Sequence, residues 1–155
     1  MLRRAWIILI LLILSLCLSV EVQVVYVAGN MDLGVVKRFE VPDGVDPAVY
    51  LFDMLASPPT GYRSFVPAGV LRAVYLLSDT IVVDLEGKKA RGMDFYSERM
   101  FIYQLLLSLF RTFDVKTVHI LVDGKAQKAL AKYVDISLGF RRQDWLNWPL
   151  EVETH

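Results

Sequence analysis

The side chains here that could move a proton near neutral pH are two histidines, His119 and His155, and a scatter of carboxylates. His119 lies in TVHILV, on the face of a strand opposite Val118, Ile120 and Val122. With no Cys or His at ligand spacing beside it, it reads as a strand histidine rather than a general base. His155 is the last residue, where order is least expected. A zinc site usually takes about four Cys, His or carboxylate ligands, and the supply is too thin for one. Ser64 in YRSFVP has no base partner, and no Gly-x-Ser-x-Gly elbow occurs. Asp79, Asp84, Asp94, Asp123 and Asp135 all fall at expected turns or element ends, where aspartate caps helices and forms turns. GKKARG (87–92) lacks the arrangement of a phosphate loop. No catalytic residue, cofactor or metal follows from these residues, and the chain is not expected to be an enzyme.

Two stretches suit binding better than catalysis. LASPPTGYRSFVPAG (55–69) sets prolines and glycines between two apolar runs. Pro58 and Pro59 stop a helix, Gly61 and Gly69 permit turns, and Pro67 stiffens the approach to the next strand. The segment reads as a connector, with Tyr62, Arg63 and Phe65 as a second, peptide-binding reading. The tail RRQDWLNWPLEVETH carries Trp145 and Trp148 among polar residues. Two tryptophans can stack on sugar rings or anchor a partner; the plainer expectation is that they fold back over the end of a sheet.

These residues need a scaffold, and the first question is where it resides. Residues 5–18, AWIILILLILSLCL, form an uncharged apolar run of 14 behind Arg3 and Arg4. As a helix this run spans about 21 Å, short of the roughly 30 Å hydrocarbon core. A basic start, a short apolar middle and small residues at the exit describe a secretory signal cleaved after Ser19. With Ser19 and Val20 added, the same run would serve as an uncleaved anchor, so both readings stand. Cys17 follows Leu16 rather than the small residue a lipidation site wants, and without residues 1–19 the chain has no cysteine for disulfide or thiol chemistry. The body, 20–142 with a tail 143–155, is expected outside the cytoplasm, exported, periplasmic or anchored at its N-terminus. It carries 15 basic against 17 acidic residues, a formal charge of −2. That excludes the basic field needed for nucleic-acid binding.

The body reads as a string of paired strands and single helices. EVQVVYV (21–27) and VVKRFEV (35–41) flank a Gly/Asn/Asp turn, an expected antiparallel hairpin. Asp46-Pro47 opens a helix with Ala48, Leu51, Phe52 and Leu55 on one face, ending at Ser57 because Pro58 disfavours helical geometry before it. VLRAVYLLSD and TIVVDLEG meet at Ser78-Asp79 as a second hairpin. A long helix follows, capped by Asp94 or Ser97, with an apolar stripe through Ile102, Leu105, Leu106, Leu109, Phe110 and Phe113. VKTVHILV is a further strand closed by Asp123-Gly124, and KAQKALAKYV fits either a helix or a return strand. The order β-β-α-β-β-α-β predicts an α+β domain: a mixed sheet with two helices packed on one face.

Several of these stretches together resemble the GerMN domain family, extracytoplasmic modules named for a sporulation and spore-germination protein. The family's Gly-Pro helix end and Ser-x-x-Pro-x-Gly loop match at Leu55, Pro58, Ser64, Pro67 and Gly69, with Ser57 where glycine is usual. VVDLEG matches its Val-Asp strand end at Asp84, Ser97 and Gln104 its long helix, and VHILVDGK its strand and turn at Asp123-Gly124. Where the family has Leu-Gly-Gly-His-Ile-Asp-Leu-Ser, this chain has LAKYVDIS (130–137), keeping Asp135 but neither glycine nor the histidine. The resemblance spans about 22–142 and favours the return strand over the helix for KAQKAL. It implies a fold similar to the small α/β ring-building motifs of sporulation complexes, found in envelope proteins, and brings no catalytic residues. The expected function is a non-catalytic envelope module binding peptidoglycan or another envelope protein, with self-assembly as an extension. The alternatives are a cell-wall hydrolase or its activator, and a small-molecule carrier with a pocket between sheet and helices.

Overall fold

The computed structural model describes residues 19–29 and 34–145, and the backbone of 150–152. Strands β1 (Glu21–Ala28) and β2 (Gly34–Glu40) pair antiparallel as the alternation requires, Val25 opposite Val36. Helix α1 (Pro47–Ala56) begins where Asp46 accepts hydrogen bonds from the Ala48 and Val49 amides at 2.8 and 3.1 Å. Pro47 occupies its first turn, and Ala48, Leu51, Phe52 and Leu55 are its buried face. A two-residue strand β3 (Tyr62–Arg63) then pairs with the end of β1. Strands β4 (Leu71–Leu77) and β5 (Thr80–Leu85) form the second hairpin, turning at Ser78 with φ 52°. One short turn of helix, α2 (Gly87–Ala90), leads to α3 (Phe95–Thr112), capped by Asp94 through the Ser97 amide at 2.7 Å. Strand β6 (Thr117–Val122) runs parallel to β5, and short β7 (Phe140–Arg141) antiparallel to β6. One turn, α4 (Arg142–Trp145), and β8 (Leu150–Val152), parallel to β2, complete the described chain.

The domain is α+β, and its strands divide between two four-stranded sheets, ordered β3-β1-β2-β8 and β4-β5-β6-β7, rather than lying in one. The physical reason lies on the edge of β1. Beyond Val27 and Ala28, which pair with β3, the edge is taken by α3. Thr112 Oγ accepts from the Gln23 amide at 2.9 Å and donates to its carbonyl at 3.2 Å. Ser108 Oγ accepts from the Val25 amide at 2.8 Å, and Gln104 Nε2 donates to the Val25 carbonyl at 3.0 Å. Residues 104, 108 and 112 share one helix face, so three polar side chains satisfy the ladder groups that another strand would have used. No room remains there for β4.

Both α1 and α3 pack on β1. Helix α3 is buried on every side from Phe101 to Phe110. One stripe, including Phe101, Leu105, Leu109 and Phe110, joins the main core of Val24, Leu55, Ile81, Val83, Val118 and Ile120. Another, Tyr103 and Leu107, packs on Val25 and Val36. Bulky side chains fill most of the space between sheets and helices where a carrier would need its pocket, leaving small hollows of about 190 and 110 Å³ beside α1. No helix among the described residues is long and apolar enough to cross a membrane.

The segment after β6 corrects one expectation. KAQKAL forms neither a return strand nor a helix; it carries only isolated bridges, Val122 with Lys125 and Ala129 with Asp135. The amides just beyond it, those of Ala131, Lys132 and Tyr133, bond to the carboxylate of Glu98 rather than to a strand partner.

Candidate functional site

Register and connectivity sort the loops into two ends. Helix α3 runs antiparallel to β1, since Thr112 meets Gln23 while Gln104 meets Val25. The end holding the α3 N-terminus therefore gathers β3, the α1–β4 connector, the C-termini of β5 and β6, and the segment after β6.

An aromatic surface with cations along it occupies that end. Phe65 meets Tyr96 edge to face at 5.4 Å and 81°, and Phe95 meets Tyr133 at 5.9 Å and 89°. The Arg63 guanidinium lies 5.8 Å from the Phe65 ring centre, and Lys132 Nζ 5.3 Å from that of Tyr133. Phe95 is 54% exposed although it is a large apolar side chain at a helix start. Tyr62 is half-buried, turned inward against Tyr26 at 6.1 Å with Lys37 Nζ 4.8 Å from its ring. It supports the surface more than it presents one.

Two buried polar side chains fix this surface from beneath. Gln104 accepts from the Phe65 amide at 2.7 Å and donates to the Arg63 carbonyl at 3.3 Å, while its bond to Val25 ties the connector to β1. Glu98 is fully buried and accepts from the Ala131, Lys132 and Tyr133 amides at 2.8, 3.0 and 2.7 Å. Burial by itself would raise its pKa, but these backbone donors outweigh it and hold the carboxyl below its ordinary value. The carboxylate thus shapes the turn that presents Lys132 and Tyr133. Asp94 is also held low, by its bonds to Ser97 at the helix N-terminus.

A second polar cluster stands at the C-termini of β5 and β6. Asp84 accepts from the Gly124 amide at 2.8 Å and lies 3.6 Å from Arg72 Nε. Asp123 accepts from Arg72 Nη1 and from the Gly87 amide, both at 3.1 Å. The Gly87 bond, then Arg72, lowers the Asp123 pKa. Asp123 and Gly124 both have positive φ, 52° and 75°, which a tight strand exit requires. These contacts tie β4, β5, β6 and α2 together. Both carboxylates already face fixed donors, which suits a brace better than an acid–base pair.

The sequence-derived residues are placed as follows. Tyr62, Arg63 and Phe65 come together with Tyr96, which the sequence reading did not single out. Pro58 follows the α1 cap at Ser57, and Pro67 is half-buried in the same connector. Ser64 Oγ accepts from the Val66 amide at 3.2 Å, and Gly69 takes φ 69° where the chain enters β4. Asp84, Asp123 and Gly124 meet in the brace. Asp135 lies apart from it, bonded to Ser137 Oγ and amide at 2.6 and 2.9 Å. Trp145 lies away from the aromatic surface, half-buried against Phe140 at 6.0 Å and against both apolar clusters, so it folds back over the sheets. Trp148, His155 and the whole 1–18 segment, Cys17 included, lie outside the described residues. His119 is exposed beside Gly139, and no group of three metal-ligating side chains occurs among the described residues.

Glu98 is the residue the sequence reading missed. Its signal was a carboxylate one residue after the Ser97 cap position, but its partners lie 33 to 35 residues further on.

The fold defined here is that of a small α+β module whose long helix seals the edge of one sheet. The Germane family model, described as sporulation and spore germination, matches residues 24–128, and the chain belongs to that family. The structure is similar to the tandem GerMN domains of the sporulation protein GerM from Bacillus subtilis, at 17% identity and TM-score 0.68, over 81% of this chain and 47% of that one. The chain thus spans about half of that tandem protein. It is likewise similar to the first GerMN domain of GerM alone, at 18% identity and TM-score 0.68, covering 81% of this chain and all of that one. A Clostridium perfringens protein inferred to be a lipoprotein matches at 18% identity and TM-score 0.53, over 81% of this chain and 89% of its own. At these identities the likeness concerns the fold. No curated protein matches.

Proposed function

We propose that this chain is an exported, non-catalytic module of the cell envelope that binds peptidoglycan through the surface around Phe65 and Tyr133. The observation carrying this reading is the pairing of aromatic rings, Phe95, Tyr96 and Tyr133 exposed and Phe65 half-buried, with cations on a base fixed by Gln104 and Glu98. Sugar rings offer C–H faces that pack on aromatic rings, and the peptide stems of the wall carry carboxylates that suit Arg63 and Lys132. A rigid base limits the ordering cost on binding. Export rests on the character of residues 5–18, and membership of the Germane family is compatible with it.

The second reading is an envelope protein as partner, a further copy of the chain included, since aromatic and arginine side chains dominate protein interfaces as well. A hydrolase is less favoured because Asp84 and Asp123 are engaged with Arg72 and backbone amides. Co-sedimentation of residues 20–155 with purified sacculi separates these readings. Saturable pelleting, reduced by Phe65→Ala with Tyr133→Ala, is the expected outcome; no pelleting of the intact domain refutes wall binding and points to a protein partner.

A further inference from the structure

The end of the domain opposite the aromatic surface carries exposed aliphatic side chains set among carboxylates, and we infer that it rests on a lipid bilayer surface. Four exposed aliphatic side chains gather there. Val20 and Val45 line a groove of about 460 Å³ that ends on Pro47. Pro47 then shares a smaller hollow of about 190 Å³ with Val74, Leu76, Ile81 and Phe113. Leu76 and Leu77 are 60% and 58% exposed and Val20 is 52% exposed, at the tip of the β4–β5 hairpin and the start of β1. Leucines of this exposure at the end of an edge strand expose apolar surface that a solvated tip would not carry.

What covers them follows from the chain that arrives there. The apolar run of residues 5–18 ends two residues before β1, and the Val20 carbonyl is already fixed to the sheet by the Val41 amide at 2.7 Å. No linker separates that run from the apolar end. If the run stays in the membrane, this end lies at the headgroup boundary, where aliphatic side chains insert to about 5–10 Å. Charge disfavours a second copy as the occupant. Glu40 and Asp43 line the groove and Asp46 the hollow, while Lys116 at the hairpin turn is already paired with Asp79 at 3.1 Å, so two copies of this end would bring an excess of like charges together. The same carboxylates mean that the attraction to lipid is apolar, and anionic headgroups would weaken it.

The test uses the full chain in phosphatidylcholine vesicles, with Cys17→Ser and a polarity-sensitive fluorophore on Leu77→Cys or Tyr133→Cys. Nitroxide-labelled lipid should quench position 77 at least about fivefold more than position 133, consistent with interfacial depth. Adding anionic lipid should not raise that quenching. In a third sample labelled at Val45→Cys, Leu76→Ser with Leu77→Ser should cut quenching about threefold. Equal or absent quenching at positions 77 and 133 overturns the inference. So does a protected position 77 that ignores nitroxide lipid and follows protein density, which assigns this end to a second copy.

Discussion

The two ends of this domain are built on opposite principles. The aromatic end is made of loops, yet each loop is fixed by a buried polar side chain: Gln104 under Phe65, Glu98 under Tyr133, Asp84 under Gly124. The apolar end has the simpler construction of a groove and a hairpin tip, with leucines outside and carboxylates around them. Exposed hydrophobic side chains occur at both, but at the aromatic end they are paired edge to face and overlaid with cations. A surface whose geometry is specified in this way suits recognition of a structured ligand. A surface of exposed aliphatic side chains with no fixed arrangement suits a featureless one such as lipid.

Substitutions can break or sharpen that contrast. The largest effect is expected from Glu98→Ala, which removes a buried acceptor from three backbone amides and should cost about 3 kcal/mol of stability, read by thermal or urea unfolding. Its pH dependence has a definite sign. The folded carboxyl is held below its ordinary value, so its contribution is complete above the usual carboxylate range and is lost as pH falls below about 4. The stability gap between wild type and Glu98→Gln should therefore narrow under acid. Gln104→Leu comes next, at about 2 kcal/mol, with faster amide hydrogen exchange at Phe65 because the connector loses its tie to β1. Phe65→Ala with Tyr133→Ala should reduce affinity for sacculi about tenfold. The smallest effect belongs to the other end: Leu76→Ser with Leu77→Ser should change stability by no more than about 0.5 kcal/mol per site, because both side chains are exposed.

The paired strands, both long helices and their caps at Asp46 and Asp94 were legible because each is written within a few residues. Alternation marks β1 and β2, and Asp-Pro marks the start of α1. The division into two sheets was not, since it depends on Gln104, Ser108 and Thr112 bonding to residues some 80 positions away. Their spacing of four was visible in the sequence as a polar line through an apolar helix, and that line is the signal to look for. Tyr62, Arg63 and Phe65 could be singled out from the connector, whereas Tyr96 and Tyr133 join them only through folding. The return strand proposed for KAQKAL failed for a similar reason: its competitor for the following amides was Glu98, far earlier in the chain.

The most direct test sets the two ends against each other in one assay: sacculus co-sedimentation of the wild-type domain, the Phe65→Ala/Tyr133→Ala variant and the Leu76→Ser/Leu77→Ser variant. Wild type and the leucine variant should pellet alike, with the aromatic variant about tenfold weaker while it keeps a folded circular-dichroism spectrum. Pelleting that survives loss of the aromatics, or fails equally in both variants, would contradict the assignment of recognition to the aromatic end.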